Sequence, residues 1–413
     1  MERPDLGCYM REFSLLYPDN YYAYYPHANE ADRRIVEEAV VKLGAPPLPS
    51  GWYIDYVEDK LKFWLLPVEL ALFHTPNLER LEISLGADWN LHLMDNLIRT
   101  RPPFFTQLKS LLTKAITWPY YDDDEDHSST SPVSIARIDS LICAAPNLHD
   151  LYLPSAVYDI SFPTTPLTNL RRLFFGFGCV INPKFLTEIL SNAPELEFLA
   201  LHWSNVPEGY YNIGDDRPIP GVWDIIEPCR HSLRELRLHI DEWLVDSRGG
   251  GTRESLCDFP RLEVLKVNNY ALDVLYDAWM RKNRHICRSD EFLSSIFPPG
   301  IREVMFWDLC ELTMLAAMQR FASISGVYRD LERVTVGPSE GDYDFPFQRP
   351  KYRGKGWVDV KAALVEEFAR GGASFKYLEP GPRKHTDREI GDAHTSWVHS
   401  ATWGKEFRAH LQY

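Results

Sequence analysis

The groups in this chain best suited to chemistry are an acidic run, Asp122-Asp123-Asp124-Glu125-Asp126, and three histidines near the C-terminus, His385, His394 and His399. Five carboxylates in a row suggest a cation, but a calcium loop of the EF-hand kind needs alternating Asp or Asn, a glycine at its turn and a glutamate at the twelfth position. Neither the glycine nor the glutamate is in place, so the run reads as a solvated insertion loop continuing through His127-Ser128-Ser129-Thr130-Ser131-Pro132. The three histidines lack cysteine partners and the i,i+4 helical spacing of a zinc site. Gly176-Phe177-Gly178 and Gly249-Gly250-Gly251 lack the rest of a phosphate-cradling motif, and there is no G-x-S-x-G or H-E-x-x-H. The sequence therefore assigns no catalytic residue, metal ligand or cofactor, and the expectation is that the chain is not an enzyme.

What the residues do share is a repeat. A segment of the form L-x-x-L-x-L recurs as PNLERLEI (Leu78, Leu81, Ile83), PNLHDLYL (Leu148, Leu151, Leu153), TNLRRLFF (Leu170, Leu173, Phe175) and PELEFLAL (Leu196, Leu199, Leu201). It continues as HSLRELRL (Leu233, Leu236, Leu238), PRLEVLKV (Leu262, Leu265, Val267), PGIREVMF (Ile301, Val304, Phe306) and RDLERVTV (Leu331, Val334, Val336). Degenerate copies sit at Met10/Phe13/Leu15, at Leu108/Leu111 and, opening on its first position, at Phe375/Leu378. The mean spacing from Leu78 to Leu331 is about 32 residues, slightly beyond the roughly 20–29 residues of ordinary leucine-rich repeats. A strand with one apolar edge cannot bury it alone and must stack on copies of itself, which makes neighbours parallel and demands a crossover between them. Amphipathic segments supply it. Over 182–192, Asn182 is a helix N-cap, Pro183 opens the first turn, and Phe185, Leu186, Ile189 and Leu190 form one stripe. Ile135, Ile138 and Ile142, and Val360, Leu364 and Phe368, repeat the arrangement. The expected fold is an α/β leucine-rich repeat solenoid, a horseshoe with parallel strands on its concave face and helices and loops on its convex face. Its parts are residues 1–75, degenerate repeats; 76–380, the solenoid; and 381–413, a polar tail or cap.

These segments, with the A-P-N-L (145–148) and A-P-E-L (193–196) helix-to-strand turns and the opening E-R-P-D-L (2–6), resemble the leucine-rich repeat proteins of filamentous fungi, many of them F-box proteins. The resemblance covers about residues 1–380. It implies the substrate-recognition part of an SCF-type ubiquitin-ligase receptor, with a stand-alone scaffold having no ubiquitin link as the alternative. An F-box would recruit a Skp-type adaptor, but none is recognisable here, and that partner is expected only if an F-box lies upstream. Leu66-Pro67-Val68-Glu69-Leu70 looks like an F-box opening. Three short helices would have to follow it, whereas the strand at Leu78 comes within about ten residues, so it reads as a helix feeding the repeat.

Aromatic residues make up 13% of the chain. With Leu151 and Leu153 facing the core, strand alternation turns Tyr152 the other way. Phe174, Phe198, Met305 and Trp307 share that parity, with His202 beside Trp203, and the charged neighbours Arg172, Arg237 and Lys266 are expected to make the face locally positive. These residues are the candidate protein-binding surface; in the alternative reading the aromatics shield one another or the insertion loops. The long strand-to-helix loops, 117–133, 204–220, 241–257 and 338–356, carry Trp118, Tyr120, Tyr121, Tyr210, Tyr211 and Trp243 and would emerge along one edge. The expected ligand is a protein of unknown identity, presenting an acidic or mixed peptide segment to the locally positive face.

Composition narrows the setting. Hydrophobic residues at 45% and charged residues at 25% are those of a globular chain with a large core. A net charge of −15 offers no basic footprint for nucleic acid or anionic lipid. The N-terminus has no apolar signal region and no stretch is long enough to span a bilayer. Seven scattered cysteines without C-x-x-C, and no N-x-[ST] sequon, fit a reduced cytoplasmic or nuclear home.

Overall fold

The computed structural model describes residues 9–15, 30–42, 69–85, 104–115, 139–153, 157–158, 167–181, 183–203, 222–240, 255–283, 291–307, 312–337 and 355–377. The chain divides into two compact units, Met1–Ala193 and Pro194–Tyr413. Both are α/β, with parallel strands and intervening helices.

In the first unit β1 (Glu12–Leu15), β2 (Arg80–Leu85), β3 (Ser110–Ala115), β4 (Asp150–Leu153) and β6 (Arg172–Ile181) pair in that order, all parallel. The short β5 (Val157–Tyr158) pairs with the far end of β6. The helices are α1 (Glu30–Lys42), α2 (Asp139–Ala144) and α3 (Pro183–Asn192). The second unit runs β7 (Phe198–Trp203), β8 (Glu235–Ile240), β9 (Val264–Asn268), β10 (Glu303–Trp307), β11 (Arg333–Val336) and β12 (Ser374–Tyr377). These too pair in sequence and in parallel. Its helices are α4 (Val222–Ile225), α5 (Asn269–Asn283), α6 (Phe292–Ile296), α7 (Leu312–Ser323) and α8 (Lys355–Arg370).

Register follows the sequence repeat residue by residue. The fourth position of each copy lies opposite the next: Phe13, Leu81, Leu111, Leu151 and Leu173 in the first unit, and Leu199, Leu236, Leu265, Val304, Val334 and Phe375 in the second. Leu81, Leu111, Leu151, Leu173, Leu199, Leu236, Leu265 and Val304 are wholly buried, the expected result for an apolar row that stacks only on its own copies. One copy is framed differently from the sequence expectation. Phe375 takes the fourth position rather than the first, because Gly371 and Gly372 end α8 early: Ala373 N–H reaches Phe368 O at 2.9 Å and Gly372 N–H reaches Ala369 O at 3.1 Å, with Gly372 at φ +91°.

The turn before each strand is equally repetitive. The N–H of the first-position residue donates to the carbonyl three residues back in Leu78 to Thr75, Leu108 to Phe105, Leu148 to Ala145, Leu170 to Leu167, Leu262 to Phe259, Ile301 to Pro298 and Leu331 to Tyr328. Pro76, Pro146, Pro260 and Pro299 occupy the second residue of that turn, where a fixed φ near −65° is already correct. Asparagine side chains tie one turn to the previous one, Asn147 Nδ2 donating to Thr106 O at 2.8 Å and Asn169 Nδ2 to Pro146 O at 3.0 Å. A backbone ladder then starts the strands. In β2, β3, β4, β6, β8, β9, β10 and β11 the second and third residues of a copy both donate to the second-position carbonyl of the copy before, as Lys109 and Ser110 do to Glu79 and Arg302 and Glu303 to Glu263, at 2.7–3.1 Å; at β12 only Ser374 N–H does so, to Glu332 O at 2.8 Å.

Helices pack on the leucine side. Leu186, Ile189 and Leu190 of α3 are buried, as the stripe predicts; Asn182 itself lies outside the described residues. In the second unit Phe368 of α8 stacks on Phe375 of β12 at 5.5 Å, and Phe297, Phe306 and Phe321 extend that aromatic layer. Residues 69–73 are helical, with Leu70, Leu72 and Phe73 buried, and β2 begins at Arg80.

Candidate functional site

With the apolar rows turned to the helices, the third and fifth positions of every copy stand on the opposite face. In the first unit the third positions are Glu12, Arg80, Ser110, Asp150 and Arg172, and the fifth are Ser14, Glu82, Leu112, Tyr152 and Phe174. In the second unit the third are Phe198, Glu235, Val264, Glu303, Arg333 and Ser374, and the fifth are Ala200, Arg237, Lys266, Met305, Thr335 and Lys376.

Parity places these residues on one side of their strands, but not all are accessible. Tyr152 and Phe174 are paired in register with ring centroids 4.5 Å apart, and they are only 7% and 2% exposed. They are therefore not the open anchors that alternation suggests, and the shielding alternative describes them better. The physical reason is that alternation fixes which side of a sheet a residue occupies and carries no information about what lies above it. Met305 is also nearly buried, at 9%. Phe198 is half-buried beneath the Arg237 guanidinium, 5.1 Å from its ring centroid. His202 is buried and stacks on His239 at 4.2 Å. The side chains of Trp203 and Trp307 lie outside the described residues, as do Trp118, Tyr120, Tyr121, Tyr210, Tyr211 and Trp243, the acidic run and the three C-terminal histidines.

The expected local positive charge is largely neutralised in place. Arg172 Nε pairs with Asp150, Arg237 with Glu235 at 2.7 Å, and Lys266 with Glu303 at 3.6 Å. Two cations that sequence reasoning missed stand farther along the second sheet. Arg333, exposed, lies 3.4 Å from that same Glu303 carboxylate. Lys376 is exposed and has no acidic partner among the described residues. Its place in the row was hidden by the three-residue difference in frame at β12, which moves it from an edge position onto the face.

The second positions, at the turn edge, form a separate alternating set. Arg11 and Lys109 flank Glu79 at 3.6 and 3.3 Å; Arg234 and Arg302 flank Glu263 at 3.3 and 3.7 Å; Arg302 also meets Glu332 at 2.6 Å. These exposed charges satisfy one another across strands and hold register more than they offer a ligand site.

A further device sits where β9 meets α5. The strand runs into the helix with no loop, and its backbone pairing with β8 ends at Val267 while Asn268 still lies opposite Trp307 of β10. The buried carboxamide of Asn268 takes over: its Oδ1 accepts from Ile240 N–H at 3.1 Å and Ala271 N–H at 3.2 Å, and its Nδ2 donates to Ile240 O at 2.7 Å. A carboxamide carries the donor and acceptor of a peptide group, so one side chain continues the β8–β9 pairing and caps α5.

Among the described residues no group of three or more His, Cys, Asp or Glu is placed to hold a metal ion, and no helix is long and apolar enough to cross a membrane. Burial pushes the Cys229 thiol up to about 12, which opposes a nucleophilic role. No family model matches the chain, and no curated protein sequence matches it.

Proposed function

We propose that this chain is a leucine-rich-repeat-type protein-binding module whose ligand lies across the third and fifth strand positions. The observation that carries the reading is the separation of duties within each copy. The first, fourth and sixth positions build turn and core, and the backbone of the second and third starts the ladder, so the side chains at the third and fifth positions take no part in the turn or the leucine row, although several of them, Leu112, Tyr152, Phe174, Ala200 and Thr335 included, are themselves buried. Such positions vary from polar to aromatic here while the strand geometry stays constant, which suits recognition by a rigid scaffold. The proposal gives the chain no catalytic role.

The test is affinity purification of the full chain followed by chemical cross-linking of the captured complex. The expected result is a partner cross-linked through Lys266 or Lys376 on the sheet face. Cross-links confined to Lys109 at the turn edge, or to Lys282 and Lys361 on helices, would refute the placement.

The tie to ubiquitin ligation rests on motif resemblance. In that reading the chain supplies substrate recognition and a Skp-type adaptor joins only through an F-box upstream; the alternative is a scaffold with no ubiquitin link. The helical residues 69–73 and the start of β2 at Arg80 support treating Leu66 to Leu70 as part of a repeat. Mixing this chain with the adaptor should therefore give no complex, and a stoichiometric complex lost on Leu66→Ala would overturn that assignment.

A further inference from the structure

We infer that the β9–β12 end of the second sheet binds an extended acidic peptide segment with two carboxylates four residues apart and an uncharged residue midway between them. The inference rests on the protein-binding reading above and names the chemistry of its ligand.

Across these four strands the fifth positions are Lys266, Met305, Thr335 and Lys376, and the third are Val264, Glu303, Arg333 and Ser374. Three cations face one carboxylate. Glu303 is shared between Lys266, at 3.6 Å, and Arg333, at 3.4 Å, while Lys376 is exposed with no acidic partner among the described residues. A local excess of positive charge on a chain of net charge −15 selects an anionic ligand at this place and repels acid elsewhere.

Geometry narrows the ligand. Neighbouring strands are about 4.8 Å apart, so Lys266 and Lys376, three strands apart, stand about 14 Å from one another at the backbone. An extended chain advances about 3.3 Å per residue, and its residues i, i+2 and i+4 share one face. Carboxylates at i and i+4 therefore meet Lys266 and Lys376, with Arg333 between and beside them. The residue at i+2 passes above the nearly buried Met305 and the buried Thr335, which offer it no counter-charge, so it is uncharged and makes its contacts at the rim they leave between the cations.

The experiment uses the full chain and fluorescein-labelled peptides followed by anisotropy at low salt. The probe carries two glutamates four residues apart around a leucine; the comparison peptides carry glutamine in their place, or glutamates two residues apart. Binding of the probe should exceed that of both comparison peptides. Lys376→Glu and Arg333→Glu should each weaken it by roughly fivefold or more, an exposed ion pair and its reversal being the interaction removed. Lys42→Glu, the same charge change on the exposed end of α1, should leave it unchanged. Should Arg333→Glu lower the melting temperature, Lys376→Glu, on an exposed unpaired side chain, still decides the matter. Equal binding by all variants, or equal binding of the glutamine peptide, overturns the inference. So does a DNA oligonucleotide of equal charge that binds as tightly and is lost with the same variants, because that is a general anion surface. A captured partner cross-linked to the sheet face but indifferent to Lys376→Glu removes this inference and leaves the protein-binding reading intact.

Discussion

Replacing Asn268 by alanine tests whether one carboxamide stands in for a missing peptide group between β8 and α5. Alanine removes three hydrogen bonds at a fully buried site. Loss of the helix cap alone costs about 1 kcal/mol. The Ile240 N–H and C=O are then stranded in the interior, each at a cost of about 1–3 kcal/mol, for a total of about 3–7 kcal/mol. Asn268→Asp separates the two roles. Aspartate is an equally good cap, but it cannot donate to Ile240 O, and its charge is buried against that carbonyl. It should therefore retain the cap and still lose about 2 kcal/mol or more at neutral pH. The assay is urea unfolding followed by far-UV circular dichroism and by tryptophan fluorescence. Trp223 is a natural reporter, since its Nε1 donates to Ala271 O at 3.1 Å in the first turn of α5. Equal slopes in urea with a shifted midpoint would show a change in stability and not in the extent of unfolding. A loss below about 1 kcal/mol for alanine, or an aspartate variant as stable as the parent, would show that the backbone finds other partners and that the substitution of side chain for peptide is wrong.

Gly372→Ala, at φ +91°, should cost about 1 kcal/mol and Gly372→Asn less, both read by urea midpoint. Gly371→Ala should cost more, because its methyl would stand 1.9 Å from Ser325 Oγ and 2.8 Å from Gly326 N. Thiol labelling of the folded chain at neutral pH should modify exposed Cys257 and spare Cys229, whose buried thiol titrates near 12. For Cys229 the folded value is raised above the unfolded one, so the native state holds the proton longer. Its contribution is intact below about pH 8.5 and is lost as pH rises toward about 12, which a cysteine-to-alanine variant should abolish in alkaline unfolding curves. Arg302→Ala, which breaks exposed pairs with Glu263 and Glu332, should leave the urea midpoint nearly unchanged, and 1 M salt should shrink any difference further.

What could be read from the sequence, and what could not, follows from where each residue's constraint originates. The first, fourth and sixth positions answer only to their own copy and its neighbours, so Leu81, Leu111 and Leu151 were legible and so was the parallel pairing. Prolines at 76, 146 and 260 announced the turns for the same local reason. The Asn268-Asn269 pair, at the end of a strand and before the apolar spacing of α5, carries an N-cap signal, but its bonds to Ile240 depend on the neighbouring strand and have no mark in the local sequence. Coverage is not local. Tyr152 and Phe174 obey the predicted parity, yet they are buried and packed on each other across the β4–β6 register, which no period in the sequence encodes. At β12 a glycine pair moved the frame by three residues and hid Lys376, whose identity was plain but whose place was not.

The same division explains why the fold is so much more readable than the ligand. From β2 to β4, at β6 and from β8 to β11, each strand is launched by two N–H groups that converge on one second-position carbonyl of the preceding copy, and this ladder is indifferent to the side chains at the third and fifth positions. Ser110 and Asp150, or Glu303 and Arg333, fill equivalent places with opposite chemistry and no change in register. Those positions are therefore free of the constraint of register, and a repeat sequence records its own architecture in the residues that recur, which on the proposed reading leaves the ligand to the residues that do not. Meaning at the latter positions comes only from their neighbours across the sheet. Lys266, Glu303, Arg333 and Lys376 belong to four separate copies and are brought side by side by register alone.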